Sequence, residues 1–157
     1  FDFLVVAAYG KILPNWMLAS PNVMPINIHY SLLPKYRGAS PIQSCLLNGD
    51  KKTGITFIKM TNKLDEGDCI ERYEMHVCDD HNKVTLEEDL CNLAAENVFT
   101  VLSNITQNNF DLSKQNHNQS ENNRHSNNFP KSSVDLVLFQ NNQSDYSEVS
   151  AFHHRLA

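Results

Sequence analysis

Asn27 and His29 lie two residues apart in an otherwise apolar run that includes Met24, Ile26 and Ile28. On an extended strand that spacing sends both side chains to one face and Ile26 and Ile28 to the other. An amide and an imidazole then project together near the strand's C-terminal end, with Ser31 just beyond. In open parallel sheets that edge is where ligands bind. Further on, Leu64-Asp65-Glu66-Gly67-Asp68 places a carboxylate on a glycine-containing loop. An Asn, a His and an Asp meeting at one point suit acyl-group transfer. The amide donates to a developing oxyanion, the imidazole moves protons, and the carboxylate orients or charges the imidazole. The same residue types also have purely structural uses, as a satisfied strand pair and a turn aspartate. Taken alone they define a site without naming its reaction. The other histidines (His76, His81, His117, His125, His153, His154) read as surface or tail residues, and the adjacent pair 153–154 would diverge on a helix.

Several elements must position those groups. Residues 1–9 form a continuous apolar run rich in Val and aromatics, which predicts a strand buried on both faces. A helix is expected from Pro14 to Ser20, a second strand over 23–30 and an ordered loop over 31–39. A short helix over 40–47 precedes the turn signal Asn48-Gly49-Asp50. Residues 54–60 and 69–77 read as strands joined by the 61–68 link. Thr85 followed by Glu88 has the capping-box pattern, and Leu86, Leu90, Leu93, Ala94, Val98, Val101 and Leu102 make one face of a helix over 85–107. Residues 108–128 carry too little apolar surface to offset ordering entropy and read as disordered. Residues 134–139 fit a short strand or helix, and 145–156 a last helix. Strands alternating with short helices give an α/β class with a largely parallel sheet.

Composition narrows the function classes. The 157 residues carry a net charge of -5, split unevenly into +2 over 1–70 and -7 over 71–157. All five glycines fall within the first 67 residues, and nine asparagines crowd into 104–128. That division predicts a dense, turn-rich first part and a looser acidic, amide-rich second part. No apolar run approaches the roughly 20 residues that cross a bilayer, and the acidic balance argues against a basic nucleic-acid clamp. Cys45, Cys69, Cys78 and Cys91 include no C-x-x-C pair, so neither a zinc site nor a disulfide framework follows and a reducing compartment is expected.

The run Asn27-Ile28-His29-Tyr30-Ser31-Leu32-Leu33-Pro34-Lys35-Tyr36-Arg37-Gly38 closely resembles the signature of the folate-dependent formyltransferases. That signature is N-x-H-x-S-L-L-P, a basic and aromatic stretch, then Gly; Asp65-Glu66-Gly67 is similar to its D-x-G loop. Ala8-Tyr9-Gly10, Ile12-Leu13-Pro14 and Arg37-Gly38-Ala39-Ser40-Pro41-Ile42-Gln43 resemble the branch acting on methionyl-tRNA. Leu-Pro-Lys-Tyr-Arg-Gly also resembles sugar-nucleotide formyltransferases, the nearest rival, and a purine-precursor enzyme or a non-catalytic folate-binding remnant stay open as further readings.

The resemblance implies a Rossmann-like catalytic domain, present in part over 1–107. An Asn-rich insert over 108–130 and a linker over 131–157 toward a tRNA-binding domain would follow. It implies transfer of a formyl group from 10-formyltetrahydrofolate to the amine of initiator methionyl-tRNA, without a metal. Asn27 would hold the formyl oxygen, His29 would act as general acid/base, and Asp65 would orient His29 and shuttle protons. Ser31, Leu32, Leu33 and Pro34 would line the folate pocket through backbone and shape. Tyr30, Lys35 and Tyr36 depart from the pattern, where a small residue, Arg and Trp are usual. The chain is expected to be a fragment lacking its first strands and a C-terminal barrel, inactive by itself, and a monomer away from membranes. Its Asn-rich tract suggests a mitochondrion or plastid, with a bacterial cytoplasm as the alternative.

Overall fold

The unbroken apolar run at the start becomes strand β1 (Phe3–Ala7), buried on both faces as its pattern predicts. Phe3 and Val5 join the larger core, whereas Leu4 and Val6 pack with Leu13 on the other side of the sheet. The computed structural model describes residues 1–7, 9, 12–116 and the strand backbone at 135–139. Strand β2 (Met24–His29) lies beside β1, and helix α1 (Asn15–Leu18) falls in the crossover between them. Helix α2 (Pro41–Leu47) precedes strands β3 (Lys52–Lys59) and β4 (Cys69–His76). Helix α3 (Lys83–Thr106) covers one face, and strand β5 (Asp135–Phe139) borders β1. The sheet order is β4-β3-β2-β1-β5.

The α/β class stands, but the expected largely parallel sheet is corrected. Only β1–β2 is parallel among the described pairings; β2–β3, β3–β4 and β1–β5 are antiparallel. Parallel neighbours need a crossover of a dozen or more residues, which the 8–23 connection supplies and the short 60–68 link cannot. The 30–51 connection is long enough for a crossover, yet it stays at the end of the sheet where β2 finishes and feeds β3 back alongside.

Helix α3 buries Leu86, Leu90, Ala94, Val98, Val101, Leu102 and Ile105, one stripe at helical spacing. Its start lies earlier than the sequence pattern suggests. The Asn82 side chain accepts from the Val84 and Thr85 amides, and the Asn82 amide donates to Thr85 Oγ1. The capping box is therefore Asn82–Thr85, and Thr85 is its second member instead of its first. Helix α1 is also shorter than expected, with Pro14 at its N-cap.

Residues 108–116 correct a second expectation. Instead of opening a disordered insert, they turn off the end of α3, where the Asn108 and Asn109 amides bond back to the Ile105 and Asn104 carbonyls. They reach the outer edge of β4 at Ser113, which exchanges backbone hydrogen bonds of 2.8 and 2.9 Å with Cys69. A sheet edge presents unpaired backbone groups, and this segment satisfies some of them. Phe110 packs on the main core. The rest of the Asn-rich tract and the expected helix over 145–156 lie outside the described residues. No helix among the described residues is long and apolar enough to cross a membrane.

Candidate active site

The loop after β2 is held by β3. Thr56, fully buried, donates to the Ser31 carbonyl at 2.7 Å and accepts from the Leu33 amide at 3.0 Å. Arg72 Nε donates to the Leu33 carbonyl at 3.0 Å. The Leu33 side chain packs with Ile58 and Cys69, and the Leu33–Pro34 peptide is cis. Gly54 allows the close fit, because a Cβ there would run into the Tyr73 carbonyl and the Leu32 side chain. Lys35 Nζ and Tyr36 Oη both reach Asp50 Oδ2 at 2.8 Å, and Asn48 Nδ2 donates to Tyr36 Oη at 2.6 Å. Burial alone would lower the Lys35 pKa; its contacts with Asp50 and Tyr36 outweigh that and hold it well above the usual lysine range. The substitutions Lys35 and Tyr36 thus share one anchor, Asp50.

This framework fixes the backbone at Tyr36, whose φ is 58°. A bulky residue in that region is uncommon and is sustained only by its surroundings. The conformation aims the Tyr36 carbonyl at His29, whose Nε2 lies 2.8 Å from it. A carbonyl can only accept, so Nε2 carries the hydrogen and Nδ1 is the nitrogen with the lone pair in the neutral ring. Nδ1 stands 3.7 Å from Asp65 Oδ2, with both side chains largely buried. That separation is too long for a direct hydrogen bond. The ring is therefore oriented chiefly by the Tyr36 carbonyl, with the Asp65 carboxylate facing Nδ1.

Asp65 is itself pinned. Its Oδ1 accepts from Asn27 Nδ2 at 3.2 Å and its Oδ2 from the Gly38 amide at 2.9 Å. Its φ of 52° is one that Asp tolerates better than most residues. Two residues on, Gly67 lets the loop close on β3, since a Cβ there would overlap the Lys59 carbonyl oxygen. The structure thus brings Asn27, His29 and Asp65 to one place at the end of β2. Asn27 is half-buried, and its amide nitrogen has a second N–H besides the one given to Asp65. A carbonyl oxygen arriving there would meet a donor, an imidazole nitrogen and a carboxylate.

Of the four residues expected to line a pocket, Ser31 and Leu33 turn inward. Ser31 Oγ donates to the Lys35 carbonyl, and Ser31 and Leu33 are both buried. Leu32 and Pro34 are half-buried. Burial raises the thiol pKa of Cys45 and Cys69, so neither is an activated nucleophile. Among the described residues no group of three or more His, Cys, Asp and Glu could hold a metal ion.

One site residue was not legible in the sequence. Gln115, 5% exposed, donates from Nε2 to the Asp65 and Gly67 carbonyls, each at 2.8 Å. Its Oε1 accepts from Arg37 Nε at 3.0 Å and from Arg37 Nη2 at 2.6 Å. Its neighbours in sequence are amide-rich and its loop partners are main-chain carbonyls, so residue types give no sign of it.

Residues 1–102 match the family model described as Formyl transferase. The chain is 48% identical over 89 residues to a methionyl-tRNA formyltransferase of Lactobacillus gasseri, covering 57% of this chain and 28% of that protein. It is 34% identical over 151 residues to one from Kosmotoga olearia, covering 96% of this chain and 48% of that protein. It therefore spans half or less of the length of these relatives. Among solved structures, a 4-N formyltransferase from Francisella tularensis superposes with a TM-score of 0.67 at 26% identity, over 78% of this chain and 49% of that one. A phosphoribosylglycinamide formyltransferase from Bacillus halodurans gives 0.55 at 25% identity, over 61% and 50%.

Proposed function

The chain belongs to the formyl transferase family, and from that premise we propose that it carries the catalytic site of a methionyl-tRNA formyltransferase. The observation that carries the chemistry is the junction of Asn27, His29 and Asp65 at the end of β2. The co-substrate is 10-formyltetrahydrofolate. The methionyl amine attacks the formyl carbon, a C–N bond forms, and the bond from that carbon to the folate nitrogen breaks. Asn27 donates to the formyl oxygen as it gains charge. His29 Nδ1 takes the proton lost by the amine and returns it to the departing folate nitrogen, while Asp65 faces the cation formed in between. Leu32 and Pro34 lie half-open beside this point and supply shape to the folate pocket.

The choice of acceptor rests on sequence identity. Methionyl-tRNA formyltransferases reach 34–48% identity with this chain, whereas structures described as sugar formyltransferases that share its fold stand at 20–23%. The bacterial origin of the named relatives supports a bacterial-type enzyme; the site of action is a bacterial cytoplasm or an organelle that formylates initiator tRNA.

The test is formyl transfer to methionyl-tRNA by the full-length protein. Asn27→Ala is expected to lower kcat by about 10²–10³-fold, and His29→Ala by about 10²–10⁴-fold. Unchanged transfer in both variants would remove the catalytic assignment. Activity on an amino sugar nucleotide but not on methionyl-tRNA would reassign the acceptor.

A further inference from the structure

We propose that Gln115 is a positioning residue of the catalytic site, a strut that sets where the Asp65 carboxylate stands relative to Asn27 and His29. The inference rests on the formyl-transfer reading for its kinetic consequences, but its geometry is independent of that reading.

Two loops supply the site's fixed groups. The first, at residues 36–38, provides the Tyr36 carbonyl that holds His29 and the Gly38 amide that holds Asp65. The second, at residues 65–67, provides Asp65 itself. Gln115 bridges them. Its Oε1 accepts from Arg37 Nε and Nη2, and its Nε2 uses both hydrogens on the Asp65 and Gly67 carbonyls. The contacts close a ring: Asp65 side chain to Gly38 amide, along the backbone to Arg37, across Gln115, and back to the Asp65 main chain. Each member is fixed on two sides. The amide's orientation is unambiguous, because carbonyls can only accept and Arg can only donate.

Burial makes the ring stiff. Arg37, Asp65 and Gln115 are each under 9% exposed. A hydrogen bond of this kind gains strength where water is excluded, and a partner left unsatisfied there is costly. Asp65 also has a positive φ, so its carboxylate direction depends on its surroundings more than on a relaxed backbone. The Cys69–Ser113 bridge anchors the strand of chain that brings Gln115 in. Gln115 hydrogen-bonds the Asp65 main chain and not the side chains of Asn27, His29 or Asp65, so its effect passes through loop position.

The experiment compares Gln115→Met, which keeps size but loses every hydrogen bond, with Gln115→Glu, which keeps the Arg37 contact and loses both donors. Both are made in the full-length protein. Loss of the strut is expected to lower kcat roughly 10–100-fold, the scale of a modest misplacement of catalytic groups. KM for the folate should stay within about twofold, because Gln115 lies outside the proposed folate contacts. A second readout needs no activity. The Gly38 amide, which donates to Asp65, is expected to lose hydrogen-exchange protection at least tenfold in both variants, while amides of α3 keep theirs.

If Gln115→Met does not fold, Gln115→Asn, one methylene short, reads the same two quantities. Wild-type kcat with unchanged Gly38 protection would overturn the proposal. So would a fall in activity that merely follows the folded fraction, with α3 and Gly38 losing protection together. Full activity in Gln115→Glu would overturn it too, since the donors to the Asp65 loop would then be dispensable. A wild-type protein that transfers no formyl group would overturn the functional reading instead, and the Gly38 measurement would still decide the role of Gln115.

Discussion

Single side chains in this molecule do their work by fixing backbone. Thr56 is the plainest case, since one hydroxyl serves the Ser31 carbonyl and the Leu33 amide in a fully buried position. Replacing it with the isosteric valine keeps the packing and leaves both groups unpartnered. We expect Thr56→Val to cost about 1–3 kcal/mol, read as a lower urea midpoint at unchanged m-value. An unchanged midpoint would mean that the 31–38 loop is held by other contacts. Asn27, His29 and Asp65 could be picked out beforehand because two of them share a strand spacing and the third sits on a glycine loop. Gln115 could not, because what it recognises is two carbonyls and a guanidinium brought together only by folding. Nor could the hold of the Tyr36 carbonyl on His29, which depends on a φ of 58° that no residue type announces.

Elements were legible to the extent that their own pattern decides them. The stripe on α3 and the two-sided burial of β1 follow from apolar spacing, which acts locally. Strand direction does not act locally. The apolar run of β1 suits a strand with cover on both faces, whichever way its neighbours run, so the three antiparallel pairings were invisible until the connections were traced. The 61–68 link shows what such a connection demands. Gly67→Ala would drive a methyl into the Lys59 carbonyl, whereas a Cβ at Gly49 would meet nothing within 4 Å and face only its φ of 63°. We expect Gly67→Ala to cost about 1–3 kcal/mol or more and Gly49→Ala about 1 kcal/mol. Thermal unfolding of the two variants checks the ranking, and the reverse order would show that the link can shift to make room.

Across the whole molecule, the site is where distant parts of the chain meet. A dense first part and a looser second part were expected from composition, but the boundary lies further along than the amide content suggests, because 108–116 is stitched to β4. The separations around the Asp65 carboxylate grow in order: 38 residues from Asn27 to Asp65, 50 from Asp65 to Gln115 and 78 from Arg37 to Gln115. Each longer closure costs more chain entropy, and contacts of this range form slowly. The ring around Gln115 therefore sets an order of events in time. We expect the β3–β4 hairpin to close first, and the 36–38 and 65–67 loops to stay loose until the segment after α3 has docked. Pulse-labelled hydrogen exchange during refolding should show the Gly38 amide protected only after the amides between β3 and β4; simultaneous protection would mean that the site is assembled along with its scaffold. A polypeptide emerging residue by residue would then hold β1 to β4 already paired, but an unset site, until Gln115 arrives.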